Sequence, residues 1–429
     1  MNIPVIEVRV WGQFVGAVAK DPKLDYYAFA YGPDWVRSGI ELAPLTMPLS
    51  ERRDAFIFTN LPEATFRRLP ALFADALPDD FGNALIDAWM AEHGTSKADV
   101  TTLDRLAYMG KRGIGALEFK PAVGSHRESA APLEMKALVE EARKLVEGDL
   151  SEDRHAKAAL ANIIRVGTSA GGARAKAVIA WNPRTKQIRS GQFDMASEFE
   201  PWILKFDGVG NDFELGTGGD HGRTEYAYYK MATEAGIIMT PCRLLEENER
   251  AHFMTRRFDR DVVKGQTIKH HVQTLCAMNH LDYKQRGTHA YSQLFMVVAQ
   301  LGLGDDALHQ TFRRMAFNVM SRNYDDHTKN FSFLLKQRQR WGLAPAYDMT
   351  HAHNPRGKWT YQHLMSVNGK FDGITRADLL AEADRFGVPR AEAAISDVRA
   401  ALDNWKAHAK EAGLSENKTD DLAREFLPL

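Results

Sequence analysis

From Ile6 to about Leu49 apolar and polar residues alternate between turns at Trp11-Gly12, Tyr31-Gly32-Pro33 and Ala43-Pro44, a period of two that predicts short antiparallel strands. The period lengthens after Leu69, where Leu72, Phe73, Leu77, Leu85, Ile86, Trp89 and Met90 recur at helical spacing around a break at Pro78-Asp79-Asp80. Thr102 to Met109 predicts a further short helix. The glycines of Gly110 to Gly115 lack the strand-before, helix-after context of a phosphate cradle, so they read as a turn into a strand at Ala116 to Lys120. Pro121 to Pro132, rich in small and polar residues, reads as a linker.

Beyond it, Leu133 to Gly148 and Asp153 to Arg165 predict helices, and Val166 to Lys176 a second glycine-rich loop. Strands are predicted at Ala177 to Trp181, Pro201 to Phe206 and Phe253 to Phe258, with a helix at Gly222 to Gly236 between the last two. From about Gln266 helices dominate: Tyr291 to Gln300, Asp306 to Ser321, Arg376 to Phe386 and Arg390 to Gly413. A strand-rich first part and a helix-rich second part define an α+β chain with a mixed lobe followed by a helical one.

Composition narrows the class. A chain of 429 residues with 44% hydrophobic residues buries a large core, and its length predicts two or three domains or lobes. A formal net charge of −1 gives no global attraction to nucleic acid or anionic membrane. Two distant cysteines, Cys242 and Cys276, fit a reducing compartment and form no disulfide framework. No stretch reaches membrane-spanning length and the N-terminus runs directly into a strand pattern, so the cytoplasm is the expected location.

The chemistry concentrates between Ser321 and Ser332, where Asp325 is followed five positions later by Asn330. In a kinase catalytic loop an Asp accepts the proton of the acceptor hydroxyl, and an Asn at this spacing ligates magnesium. A strand from Phe331 to Leu335, a turn through Lys336 to Arg340 and a return at Trp341 to Pro345 bring a second carboxylate, Asp348, back towards Asn330. His327 and Lys329 are placed to share neutralisation of the transferred phosphate. A solvated turn is the competing reading of so Asp-rich a stretch.

The other parts of a kinase have candidates upstream. The small residues from Gly167 to Lys176, with Gly171 and Gly172 at their centre, let backbone amides approach phosphate, although no Walker ending is present. Lys205, in an apolar strand, needs an anion or a route to water. Glu225 stands in the following helix, as a partner for Lys205 or as a solvated helix-start acid. Arg256 to Arg260 falls where a kinase hinge offers backbone groups to adenine, with an inter-lobe salt bridge as a role for some of its charges. His270-His271, His351-Ala352-His353 and Asp326-His327 invite a metal reading, but no complete ligand set is present in the sequence, which argues against a zinc hydrolase.

Taken in order, Leu77 to Asp80, Gly115 to Glu118, Ser169 to Lys176, Ile203 to Phe206, Arg257 to Arg260, Asp325 to Ser332 and Pro345 to Asp348 resemble the HipA family of bacterial toxin kinases over nearly the whole chain. The resemblance implies a two-lobed protein-kinase-like fold: an N-terminal subdomain at 1–120, a kinase N-lobe at 133–260 and a helical C-lobe at 261–429. It implies an ATP- and Mg2+-dependent serine/threonine protein kinase with Asp325 as catalytic base assisted by His327, and Asn330 and Asp348 on the metal. Gly171, Gly172, Lys176, Lys205, Glu225, Arg256 and Phe258 are implied in ATP binding, and Ser169 is the expected site of autophosphorylation. The implied partners are a HipB-like helix-turn-helix antitoxin, which carries the contact with DNA, and a protein substrate, an aminoacyl-tRNA synthetase. The loop departs from the best-known members in having Ala175 before Lys176. A small-molecule phosphotransferase and an inactive kinase-shaped scaffold are the alternatives, and the presence of every catalytic part argues against the scaffold.

Overall fold

The computed structural model describes residues 2–51, 53–78, 80–123, 175–191, 195–207, 219–247 and 250–429. Helices and several antiparallel sheets make up an α+β chain, as expected. It divides into two compact units, neither of them continuous in sequence. The first contains Met1–Gly210, Arg256–Asp282 and Leu334–Arg340, and the second Asn211–Thr255, Tyr283–Phe333 and Trp341–Leu429. No helix among the described residues is long and apolar enough to cross a membrane.

In the first unit the alternating pattern becomes β1 (Val5–Val10), β2 (Gln13–Lys20) and β3 (Tyr27–Tyr31), joined by β4 (Leu117–Lys120) in the order β3-β2-β1-β4. Ile6, Val8 and Val10 face the interior because side chains alternate along a strand. Phe29 of β3 packs on Phe73, with ring centroids 4.7 Å apart. The turn expected at Tyr31-Gly32-Pro33 is the start of a helix, Pro33–Ser38, in which Gly32 is the N-cap and Pro33 the first helical residue. Proline is at home there because its missing N–H has no intrahelical acceptor. The helix Thr102–Met109 appears as the sequence predicts, opened by a reciprocal capping box between Thr101 and Asp104. A second set of antiparallel strands, β5 (Lys176–Trp181), β6 (Ile188–Ser190) and β7 (Glu200–Lys205), has β5 between the other two.

Arg257, Asp259 and Arg260 form a buried knot. Both Asp259 oxygens receive Arg257, at 2.8 and 2.7 Å, and Arg260 reaches Asp259 Oδ2 at 2.7 Å. The Gly110–Gly115 turn completes it: Gly115 N donates to Asp259 Oδ2 at 2.7 Å, while the Gly113 and Gly115 carbonyls accept from Arg260 at 2.9 and 2.8 Å. Gly115 has φ +81°, and a Cβ there would lie 3.1 Å from Val272 N, so the position requires glycine. Burial alone would raise the Asp259 pKa, but the two guanidinium groups outweigh it and hold the carboxyl far below its usual range. These charges therefore hold the N-terminal sheet to a segment some 145 residues later, both inside the first unit, in place of the inter-lobe bridge expected from sequence.

Two further expectations change. Arg260–Val263 and Gln266–Lys269 pair as a hairpin and His271–Thr274 is a strand, so helices take over only after this segment. The helix expected from Arg390 to Gly413 is two, Ala391–Asp403 and Trp405–Ala412, meeting at Asn404.

In the second unit the helix His221–Glu234 precedes an antiparallel hairpin of β8 (Cys242–Glu247) and β9 (Arg250–Arg256). Helices Tyr291–Gln300, Asp305–Met320 and Arg376–Phe386 build its interior. Tyr228 packs edge-on to Trp405 at 5.5 Å and donates to the Ser321 carbonyl at 2.6 Å, which fixes the end of the helix that leads to Asp325.

Replacing Asp259 with alanine leaves two buried guanidinium groups uncompensated and is expected to destabilise the first unit by about 3–5 kcal/mol, read by urea denaturation. The depressed carboxylate stabilises the fold fully above its unfolded pKa of 3.8, and that contribution is lost as the pH falls through the folded value. The wild-type excess in stability over Asp259→Ala should therefore shrink only below about pH 4.

Candidate active site

The helix Asp305–Met320 ends at Ser321, and the chain then passes through Arg322, whose φ of +61° places a non-glycine residue in the left-handed region. Strain of this kind persists where surrounding structure over-determines it. Asp325 and Asp326 follow, and their environments differ sharply. The Asp325 side chain is 47% exposed, whereas that of Asp326 is fully buried. Asp326 Oδ2 accepts from Tyr291 OH and from His363 Nδ1, each at 2.8 Å, and Oδ1 accepts from Leu364 N at 2.7 Å. Burial and the Asp326 charge together push the Tyr291 phenol well above its usual range, so it remains a donor.

From Tyr291 the hydrogen bonds continue. Asn318 donates to Tyr291 OH at 2.9 Å, and Asn323 donates to Asn318 Oδ1 at 2.9 Å and to the Asp348 carbonyl at 3.5 Å. A buried polar chain thus links the loop carrying Asp325 to the segment carrying Asp348. Sequence reading missed Tyr291, Asn318, Asn323 and His363 and weighed Asp326 only with His327 as a metal pair; the one available signal for the others was Asn318, a polar residue in the apolar run Met315 to Met320.

The expected hairpin is present. Strands Ser332–Leu335 and Trp341–Leu343 flank the turn, Ala344 N donates to Ser332 O at 2.9 Å, and Tyr347 OH donates to Lys329 O at 2.7 Å. This returns Asp348 to the end of the loop, with φ +54°. Asn330 donates its amide to the Asp325 carbonyl at 2.7 Å, which leaves its own side-chain oxygen as an acceptor. Asn330 and Asp348 thus supply the hard oxygen donors that suit Mg2+. His327 Nε2 lies 3.9 Å from Asp325 Oδ1, and the Lys329 ammonium sits 4.7 Å over the Tyr283 ring.

Lys176, expected at the end of the glycine loop, is the first residue of β5 and is buried. It stands directly opposite the half-buried Lys205 of β7, so the two lysines emerge on one face of an antiparallel pair. Like charges in that arrangement favour an anion beside them. Arg256 is exposed and lies 3.8 Å from Glu200, and Phe258 is half-buried; Arg257 N donates to Pro201 O at 2.9 Å. Glu225 is 1% exposed, which removes its reading as a solvated helix-start acid. Ser169, Gly171 and Gly172 lie outside the described residues.

Comparison with known proteins identifies the family. The HipA N-terminal domain family matches residues 6–120, and the HipA-like C-terminal domain family matches residues 168–405. The chain belongs to the HipA family. Its fold is similar to that of HipA in a complex of Shewanella oneidensis MR-1 HipA, HipB and operator DNA, with a TM-score of 0.68 and 18% identity over 98% of this chain and 94% of the other. A proinflammatory kinase of Helicobacter pylori, CtkA, aligns with a TM-score of 0.34 and 10% identity over 53% of this chain and 88% of the other. A search of curated proteins gave no match.

The two adjacent aspartates should separate in a stability assay. Asp326→Ala orphans three buried donors and is expected to cost about 3 kcal/mol or more in urea denaturation, whereas Asp325→Ala changes stability by less than about 1 kcal/mol.

Proposed function

We propose that this chain is the toxin of a toxin-antitoxin pair and acts as an ATP- and Mg2+-dependent serine/threonine protein kinase. The observation that carries the reading is the division of labour in the catalytic loop: Asp326 is committed to the interior, and Asp325, its neighbour, points to solvent with Asn330 bound to its carbonyl. Asp325 accepts the proton of the substrate hydroxyl as that oxygen attacks the terminal phosphorus of ATP, whose bond to the bridging oxygen breaks to release ADP. Asn330 and Asp348 hold Mg2+, which neutralises charge on the phosphates when bound. Lys205, with Lys176 opposite it, attracts the phosphates, and His327 assists at the transferred group. Arg256 and Phe258 serve adenine through their backbone.

Family membership supports the partner assignment. The solved HipA neighbour assembles with HipB and operator DNA, and a HipB-like antitoxin is the partner proposed here. The proposed substrate is a translation protein of the aminoacyl-tRNA synthetase class.

Asp325→Asn should lower phosphoryl transfer from ATP to protein by at least about 100-fold while nucleotide binding stays within a few-fold of wild type. Asp348→Ala and Lys205→Ala should each weaken Mg-ATP binding in calorimetry. Substantial activity in Asp325→Asn removes that residue from the mechanism, and transfer only to small hydroxylated acceptors establishes a small-molecule phosphotransferase instead.

A phosphate on Ser169 adds about 1.5–2 negative charges, enough to repel bound nucleotide or recruit nearby arginines. Incubation with Mg-ATP is expected to add one phosphate at Ser169, read by intact mass and peptide mapping, and to abolish nucleotide binding. Asp325→Asn should show neither change.

A further inference from the structure

His351 and His353 flank Ala352, whose backbone bridges Asn323: Ala352 N donates to Arg322 O and Tyr324 N donates to Ala352 O, both at 3.1 Å. Side chains two apart on extended backbone emerge on one face, so the two imidazoles point the same way. The third member comes from the far end of the chain. Glu425 Oε2 lies 2.7 Å from His353 Nδ1 and 3.0 Å from His351 Nε2, and one donor atom from each of the three side chains falls within 4.8 Å of the others. Bonds to main-chain carbonyls deliver Glu425 independently of its carboxylate: Arg322 Nε donates to the Glu425 carbonyl and Leu427 N to the Met320 carbonyl, each at 2.8 Å. The Tyr324 ring, 4.8 Å from His353, walls one side.

We propose that His351, His353 and Glu425 bind one divalent transition-metal ion of the zinc class, which fastens the C-terminal tail to the segment leading into Asp325. Two imidazole nitrogens and a carboxylate oxygen are a zinc-type donor set with a fourth position left for water, and they suit Mg2+ poorly because that ion prefers oxygen. Without metal, ring N–H groups donate to the carboxylate, and loading replaces those hydrogen bonds and releases any proton bound to the ligands. The site shares no side chain with the proposed kinase chemistry and does not rest on it.

The test uses the full chain, stripped with chelator and held in excess Mg2+. Calorimetry with Zn2+ is expected to show one equivalent bound, and Co2+ should give visible ligand-field absorption. His351→Gln and Glu425→Gln should each weaken Zn2+ binding by at least about 100-fold. His353→Cys, which supplies a thiolate, should retain one equivalent and add a thiolate charge-transfer band with Co2+, separating loss of a ligand from loss of the fold. Absence of stoichiometric uptake, or uptake unchanged in His351→Gln and Glu425→Gln, would overturn the proposal and leave a hydrogen-bonded latch only.

Discussion

A carboxylate without water must be met on every side, and Asp326 imposes that constraint on the second unit. Tyr291, His363 and Leu364 come from segments on either side of the loop in sequence, and all three donate to it. Because an unsatisfied buried acid is costly, the arrangement tolerates little displacement of any donor. The position of Asp325 follows from this: a residue next to a fully anchored one has its backbone placed while its own side chain stays accessible. The same chain of hydrogen bonds continues through Asn318 and Asn323 to the Asp348 carbonyl, so the two acidic positions proposed for phosphoryl transfer share one scaffold.

Local features of this design are legible in the sequence. Thr101 and Asp104 announce the helix Thr102–Met109 because capping chemistry is satisfied within four residues. The hairpin between Asn330 and Asp348 is legible because strand alternation and a polar turn are also local. The spacing of Asp325 and Asn330 is local too, although a solvated turn competes as its reading. What stays hidden depends on distant partners. Nothing in the pair Asp325-Asp326 shows which is buried until Tyr291 and His363 are placed beside one of them. Glu425 has no visible connection to His351 and His353, from which it is separated by 74 and 72 positions. The break at Asn404 carries neither proline nor glycine, so helical periodicity runs through it unmarked.

The charged cluster near Arg257 shows how position in the chain misleads. Its arginines look like a surface or hinge feature, but each guanidinium is matched to carboxylate and carbonyl oxygens in a dry interior. Arginine suits that environment through its planar fork of donors, which satisfies several acceptors at once. The glycine turn that resembles a phosphate cradle is instead the acceptor for this cluster, and its left-handed residue is dictated by the close approach of Val272.

That knot also sets a schedule for synthesis. Gly113 and Gly115 leave the ribosome well before the residues that complete their hydrogen bonds, a separation of 147 positions for Gly113 and Arg260. At ribosomal rates of roughly 5–20 residues per second, the N-terminal sheet waits about 7–30 s with an unfilled acceptor site. During that interval the nascent first unit is a partly assembled object whose last piece has not been made.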